Sequence, residues 1–301
     1  MVDGLREVVL VVNGRSRSGA DQGQAAQVAL VEAGFDVRDF VLVTESVDFE
    51  RVVRRLVQDQ APLIAIGGGD GTQRAAASLI AGSASTMAVV PLGTGNAWAK
   101  DLGVPTDMPS MAAAYAAGES EKIDLGVANG QGFVNVATVG LTALIVKNLP
   151  KAIKKKAGKI AYLPAVVQSL MEMKPFGLKV QADTAEEDYD GDAIVFVAAA
   201  GRTHAGPFRV TRSASNNDGL LSLYALDNTD KAGLVKFGLG LLTGIHTFFT
   251  EVWSCETPSA LVKTRPPKKV VVDGEPSGVT PLSLTIRPRE LSILMPGKGE
   301  K

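Results

Sequence analysis

Ile64-Ala65-Ile66-Gly67-Gly68-Gly69-Asp70-Gly71-Thr72 decides how this chain is read. A short apolar run passes into three glycines, an aspartate, another glycine and a threonine, and helix-forming residues follow. A strand that turns through glycine into a helix brings bare backbone and unpaired helix N–H groups to one point. Phosphate suits such a point, because the backbone can approach it closely and the helix dipole ends there positive. Asp70 is placed to act on a metal–phosphate complex or on a reacting hydroxyl. Taken alone, the stretch also reads as a tight strand–helix turn capped by Asp or Thr.

The segments around it alternate. Glu7–Asn13 reads as a strand, Ala20–Gly34 as a helix and Asp36–Thr44 as a strand. Asp48–Gln60 carries Val52, Val53, Leu56 and Val57 at helical spacing. Leu63–Ile66 is a strand, the helix after the glycines runs to about Ala81, and Thr86–Pro91 is a strand again. This alternation predicts a parallel sheet with helices on both faces. A second loop, Pro91-Leu92-Gly93-Thr94-Gly95-Asn96-Ala97, also follows a strand and opens a helix. Consecutive parallel strands place both loops on one sheet edge, where ligands of α/β sheets bind. Neither loop has the Gly-Lys-Ser/Thr of a P-loop or the Gly-x-Gly-x-x-Gly of a dinucleotide fold.

After about residue 121 the pattern changes to short alternating segments: Lys122–Val127, Gly132–Ala137, Gly177–Ala182, Asp192–Ala199, Leu220–Leu226, Lys268–Asp273 and Leu282–Arg287. Turn clusters such as Asn129-Gly130 and Asn216-Asn217-Asp218-Gly219 separate them. Two domains are expected: an α/β domain over 1–121 and a mainly β sandwich over 122–281. The strands of 282–301, Leu282–Arg287 and Leu291–Met295, are candidates to return to the first domain. Helical stretches are expected at Ala152–Met173 and Lys231–Phe249.

Composition narrows the function. The 301 residues are 46% hydrophobic and 21% charged, a globular balance, and the net charge of −1 offers no field to recruit nucleic acid. One cysteine, Cys255, cannot form an internal disulfide, and with two distant histidines, His204 and His246, a Cys/His zinc site is not expected. No signal-peptide pattern is read at the N-terminus, and the longest apolar candidate, Leu234–Phe249, is broken by Lys236, glycines and His246. A cytoplasmic protein is expected.

Three further stretches carry chemistry. Val270-Val271-Val272-Asp273-Gly274-Glu275 ends a β-branched run in two carboxylates, although alone it reads first as an ordinary Asp-Gly hairpin. Asn13-Gly14-Arg15-Ser16-Arg17-Ser18-Gly19 follows the first strand and suits a nucleotide phosphate, as it suits any strand–helix loop. Lys147, Lys151, Lys154, Lys155, Lys156 and Lys159 lie beside Leu163, Val166, Val167, Leu170 and Met171. That segment reads either as a docking surface for anionic lipid or as a solvated helix face.

Gly68-Gly69-Asp70-Gly71-Thr72, Pro91-Leu92-Gly93-Thr94-Gly95-Asn96 and Asp273-Gly274-Glu275, in this order, resemble the lipid kinase superfamily of bacterial diacylglycerol kinases and sphingosine and ceramide kinases. Ile123-Asp124-Leu125-Gly126, Asn135–Gly140 and Asn217-Asp218-Gly219-Leu220-Leu221 support the resemblance, which covers nearly the whole chain. It implies an ATP- and Mg²⁺-dependent kinase acting on a lipid hydroxyl, with diacylglycerol as the default and transient contact with the inner membrane surface. A homodimer is compatible with it. Gly68, Gly69, Gly71, Thr72 and Gly93 would cradle phosphates, and Asn13, Thr44, Thr94 and Asn96 would place nucleotide or loops. Asp70 would organise the reacting centre, and Glu275, supported by Asp273, would be the general base. Asp124 would join the magnesium network, and Asp218 with the carbonyls near Leu220 would hold a structural Mg²⁺.

The chain departs from the family pattern at Gln73-Arg74-Ala75, where x-Asn-Glu is usual, and at Asn13-Gly14, where Asn-Pro is usual. Ala97 stands where diacylglycerol kinases carry Asp, an order similar to the sphingosine and ceramide branch, and Ala200-Gly201 replaces Asn-Gly. Two other readings follow from the same residues: a kinase of NAD or another small molecule, and a nucleotide- or lipid-binding sensor without turnover.

Overall fold

The computed structural model describes residues 6–14, 19–140, 174–183, 188–201, 216–227, 232–234, 236, 237, 240, 249, 250 and 252–297. The chain divides into two compact units, residues 1–125 with 289–301, and residues 126–288. The boundary falls at 125 rather than 121, and the return at 289 rather than 282. The expected helix Ala152–Met173 and most of Lys231–Phe249 lie outside the described residues.

The first unit is built on parallel strands β1 (Arg6–Asn13), β2 (Phe35–Val43), β3 (Leu63–Gly68) and β4 (Thr86–Pro91), in the order β2-β1-β3-β4. Every residue of β3 is buried, as a central strand covered on both faces requires. That is why Leu63–Ile66 is apolar without alternation. Helices α1 (Gly19–Glu32) and α5 (Met108–Ala116) pack together, and α2 (Ser46–Gln58) packs on α3 (Asp70–Ile80). Right-handed crossovers put these pairs on opposite faces, because β1 leads outward to β2 while β3 starts on the other side of β1. The ends of β1 and β3 therefore flank a topological switch point.

Local chemistry sets the helices. Asp107 caps α5, its Oδ1 accepting the Ser110 N–H at 3.0 Å, with Pro109 in the first turn. The Tyr115 hydroxyl, buried on α5, accepts from Val89 N–H (3.1 Å) and donates to Val89 C=O (2.7 Å). The last strand pairs with β4 only at Thr86 and Met87, so Tyr115 satisfies backbone groups of β4 beyond that register.

The two strands expected at 282–287 and 291–295 are one strand, β15 (Leu282–Met295). Its first part pairs antiparallel with β12 (Ser259–Arg265), and its last part pairs parallel with β4. Arg289, at φ 51°, lies between the two pairings. β5 (Glu119–Ala128) likewise contributes residues to both units.

The second unit is antiparallel. β6 (Gln131–Phe133), β7 (Val136–Val139), β8 (Phe176–Ala182), β9 (Tyr189–Ala199), β10 (Leu221–Asp227), β11 (Val252–Thr257), β13 (Lys269–Val272) and β14 (Glu275–Val279) complete it with β12. The order runs β14-β13-β7-β9-β8-β12, with β10 joined to β9 and β11 to β10. β9 is buried on both sides: Phe196 and Ala198 enter one core with Phe133, Val262 and Leu284. Val195 and Val197 enter a second core with Tyr224, Leu234 and Phe237. Two buried faces explain the unbroken apolar run Ala193–Ala200.

Candidate active site

β3 and β4 are adjacent and parallel, and Gly68 pairs with Pro91, so both glycine loops leave the same sheet edge. They meet backbone to backbone. A Cβ on Gly93 would lie 2.5 Å from the Cα of Gly69, and one on Gly67 would lie 2.9 Å from Val12 and 3.0 Å from Leu92. Glycine is required at these positions by contact rather than by dihedral angle.

The loops are tied by side chains as well. Asp70 is the first residue of α3, and its Oδ1 accepts the Trp98 N–H at 3.2 Å. A Cβ on Gly95 would lie 2.9 Å from its other oxygen. The carboxylate of the first loop thus reaches across the second. Asn96, buried and left-handed at φ 48°, folds its carboxamide back onto its own loop. Its Oδ1 accepts Gly93 N–H at 2.9 Å and its Nδ2 donates to Gly93 C=O at 2.7 Å. Asn tolerates this dihedral region better than other non-glycine residues. Thr94 and Gly95 stay exposed between these anchors.

Asn13, at the end of β1, donates through Nδ2 to the Thr72 hydroxyl at 2.9 Å, across the switch point. Thr44 follows β2 at the same edge and is exposed. Gly71 and Thr72 lie half-buried in the first turn of α3, whose N-cap Gly69 supplies no side-chain cap. Backbone N–H groups of such a turn are a donor set for phosphate. The expected nucleotide residues Asn13, Thr44, Gly68, Gly69, Gly71, Thr72, Gly93, Thr94 and Asn96 therefore share one edge of one sheet.

In the second unit, Asp273 and Gly274 form the two-residue turn of the β13–β14 hairpin, at φ 47° and 86°, the type I′ signature. The Asp273 carboxylate is buried and accepts three backbone N–H groups: Val134 at 2.9 Å, Asn135 at 3.0 Å and Val136 at 2.9 Å. It anchors the turn to the start of β7. Glu275 follows, exposed. The first carboxylate fixes the turn of the hairpin, and the second, at the expected base Glu275, is exposed.

The expected metal residues Asp218 and Asp124 each accept a backbone N–H. Asp218 Oδ1 accepts the Leu220 N–H at 3.0 Å in a turn before β10. Asp124, buried in β5, accepts the Arg289 N–H at 2.8 Å, at the left-handed residue of β15. Among the described residues no group of three or more Asp, Glu, His or Cys side chains converges. A metal carried on a nucleotide needs only one or two carboxylates beside phosphate and water oxygens, and Asp70 fits that demand.

Comparison with known proteins reaches both units. A diacylglycerol kinase catalytic domain matches residues 7–128, and a YegS C-terminal NAD kinase beta sandwich-like domain matches residues 135–295. A protein of Pseudomonas aeruginosa strain UCBPP-PA14 described as "Probable lipid kinase YegS-like" is 30% identical over 96% of this chain and 94% of its own. The chain belongs to the YegS-like lipid kinase family. This family member is accordingly an enzyme, a kinase, with an α/β domain followed by a β-sandwich domain. A diacylglycerol kinase of Bacillus subtilis strain 168 is 26% identical over 78% of each chain. A crystal structure of a diacylglycerol kinase from Bacillus anthracis str. Sterne superposes with a TM-score of 0.74 at 17% identity, over 98% of both chains. At that identity the likeness is one of fold.

Two side chains of this YegS-like kinase have contacts to which the sequence reading assigned no role. Lys100 Nζ donates to Gly95 C=O at 2.6 Å, fixing the exposed end of the second loop. Gln73 is buried, with Nε2 2.6 Å from Ile66 C=O and 3.1 Å from Val90 C=O. Its signal was periodic: Gln73, Ala76, Ala77 and Ile80 are the buried face of α3, at i, i+3, i+4 and i+7. The departures Arg74, Ala75 and Ala97 lie half-buried, and Ala200 is buried, with its N–H on Asn135 C=O. The lysine-rich segment 147–159 and His204 fall outside the described residues. No helix among the described residues is long and apolar enough to cross a membrane.

Proposed function

We propose that this kinase transfers the γ-phosphate of ATP to the hydroxyl of a lipid, with a diacylglycerol-type glycerolipid as first candidate. The observation that supports it most is the pair of glycine loops meeting at Gly69 and Gly93, bridged by Asp70. Bare backbone and a helix N-terminus answer the needs of phosphoryl transfer, which are positioning and charge neutralisation. Mg²⁺ bound with the nucleotide would neutralise phosphate charge, and Asp70 is the residue that would hold it. Thr72, oriented by Asn13, and the first N–H groups of α3 would bind phosphate oxygens. Glu275 would accept the proton of the lipid hydroxyl as its oxygen bonds to phosphorus and the bond to the ADP oxygen breaks. Asp273 would keep Glu275 presented, and Asp218 near Leu220 would stabilise the turn before β10 as a structural cation site.

The test is transfer of labelled γ-phosphate, with and without Mg²⁺, into detergent-solubilised diacylglycerol, monoacylglycerol, ceramide, sphingoid base and phosphatidylglycerol, with NAD alongside. Label in one lipid, lost in Asp70→Asn and Glu275→Gln, is the expected result. Label in NAD alone would sink the lipid assignment. ATP binding without any transfer would favour the sensor.

A further inference from the structure

Gln73 is the polar member of the buried face of α3, 2% exposed among Ala76, Ala77 and Ile80. Its carboxamide nitrogen bonds two carbonyls from neighbouring parallel strands. Ile66 immediately precedes Gly67 of the first loop, and Val90 immediately precedes Pro91 of the second. One N–H₂ group therefore joins the two strand ends from which the loops spring. Its Oε1 is buried with no hydrogen-bond partner among the described residues. A buried acceptor left alone carries a desolvation penalty that leucine or methionine would not. That penalty offsets part of what the two carbonyl bonds contribute to stability.

We propose that Gln73 is a positioning residue for nucleotide binding, clamping the ends of β3 and β4 so that the two glycine loops hold the separation phosphate requires. This rests on the reading of that edge as the ATP site. The geometry gives the clamp its lever. Asp70 lies one turn before Gln73 on α3 and reaches Trp98 beyond the second loop. The first turn of α3 is thus fixed to β3, to β4 and to the second loop together. Without the clamp the loops stay joined by the β3–β4 ladder at Gly68 and Pro91, by the Leu92 N–H to Gly68 C=O bond at 3.1 Å, by the Asp70–Trp98 bond and by the Gly69–Gly93 contact, and lose the one side-chain tie beneath them. Displacements of an ångström at such a site cost rate and affinity out of proportion to stability.

Two variants of the full chain test it, by thermal unfolding, calorimetric binding of ATP with Mg²⁺, and steady-state kinetics. Gln73→Met keeps the length and removes the donor. It loses two carbonyl bonds and the cost of the lone oxygen together, so it should unfold within a few degrees of wild type, yet bind ATP roughly tenfold more weakly, the scale of a lost hydrogen-bonded clamp. Gln73→Glu can donate only while protonated, and burial beside two carbonyls raises a carboxyl pKa. Its ATP affinity relative to wild type should therefore recover as pH falls. A methionine variant that binds ATP and turns over like wild type overturns the proposal. So does one whose loss of binding merely tracks its unfolded fraction. A wild type that binds no ATP removes the reading beneath the proposal, and the proposal with it, and is distinguished because only the variants differ in the other cases.

Discussion

The Asp70 carboxylate opens α3 and accepts the backbone N–H of Trp98, at the start of α4 (Ala97–Asp101), at 3.2 Å. One side chain thus serves as a tie between two loops and as the acid group nearest their glycines. Substitutions separate the two duties. Asp70→Asn keeps an oxygen for the Trp98 amide and loses the charge. It should unfold within a few degrees of wild type and lose transfer by at least about 10²-fold, the scale of one preorganised electrostatic contact. Asp70→Ala should lose transfer equally and also unfold earlier. A wild-type rate in Asp70→Asn, read by phosphate transfer, would reduce Asp70 to a tie.

Gly69 and Gly93 are unequal partners in one contact. A Cβ on Gly93 falls 2.5 Å from the Cα of Gly69 and 2.9 Å from Asn96 Oδ1, distances no structure keeps without moving. A Cβ on Gly69 meets Gly93 at 3.5 Å, an ordinary contact, and Gly69 has φ −87°, which alanine adopts freely. Gly93→Ala should therefore destabilise the free protein by about 1–3 kcal/mol, the range of overpacking. Gly69→Ala should leave the melting temperature near wild type while weakening ATP binding, since the added methyl would occupy the phosphate approach proposed for this edge. Thermal unfolding with and without ATP checks both.

The edge of the sheet was legible because glycine loops between apolar strands and helices have few other uses, and parallel strands fix their common side. Its wiring was not. Gln73 reads as solvent-facing by type, and only its place beside Ala76, Ala77 and Ile80 on the helix face shows that it is buried. Asn96 carries its role in a left-handed dihedral angle that no spacing reveals. β15 was read as two strands, Leu282–Arg287 and Leu291–Met295, whereas it is one, with a single left-handed residue, Arg289, between its two pairings. Asp273 was expected to support Glu275, and its partners, amides more than 130 residues earlier in the chain, are not legible from the turn.

Asp273 turns that long-range anchoring into a stability prediction. Three backbone N–H groups, at Val134, Asn135 and Val136, depend on its two oxygens in a buried setting. Asp273→Ala strands all three, and buried donors bonded to a charged group cost about 1.5–3 kcal/mol when they lose it. The melting temperature should fall by several degrees, and transfer should fall with the displaced hairpin. Asp273→Asn keeps one acceptor oxygen and should lie between, with part of the stability and part of the activity.

Glu275 should behave in the opposite way. It is exposed at the start of β14, beyond a turn that the Asp273 backbone contacts hold without it. Glu275→Gln removes a proton acceptor and little else, so the melting temperature should match wild type. If Glu275 is the base for the lipid hydroxyl, the turnover number should fall about 10²–10⁴-fold, the usual contribution of a positioned base. ATP affinity should stay unchanged, because the carboxylate acts on the acceptor and not on the nucleotide. A glutamine variant that keeps its turnover number would move the base elsewhere and leave the hairpin a structural turn. A variant that loses ATP binding instead would place Glu275 on the phosphate side of the reaction.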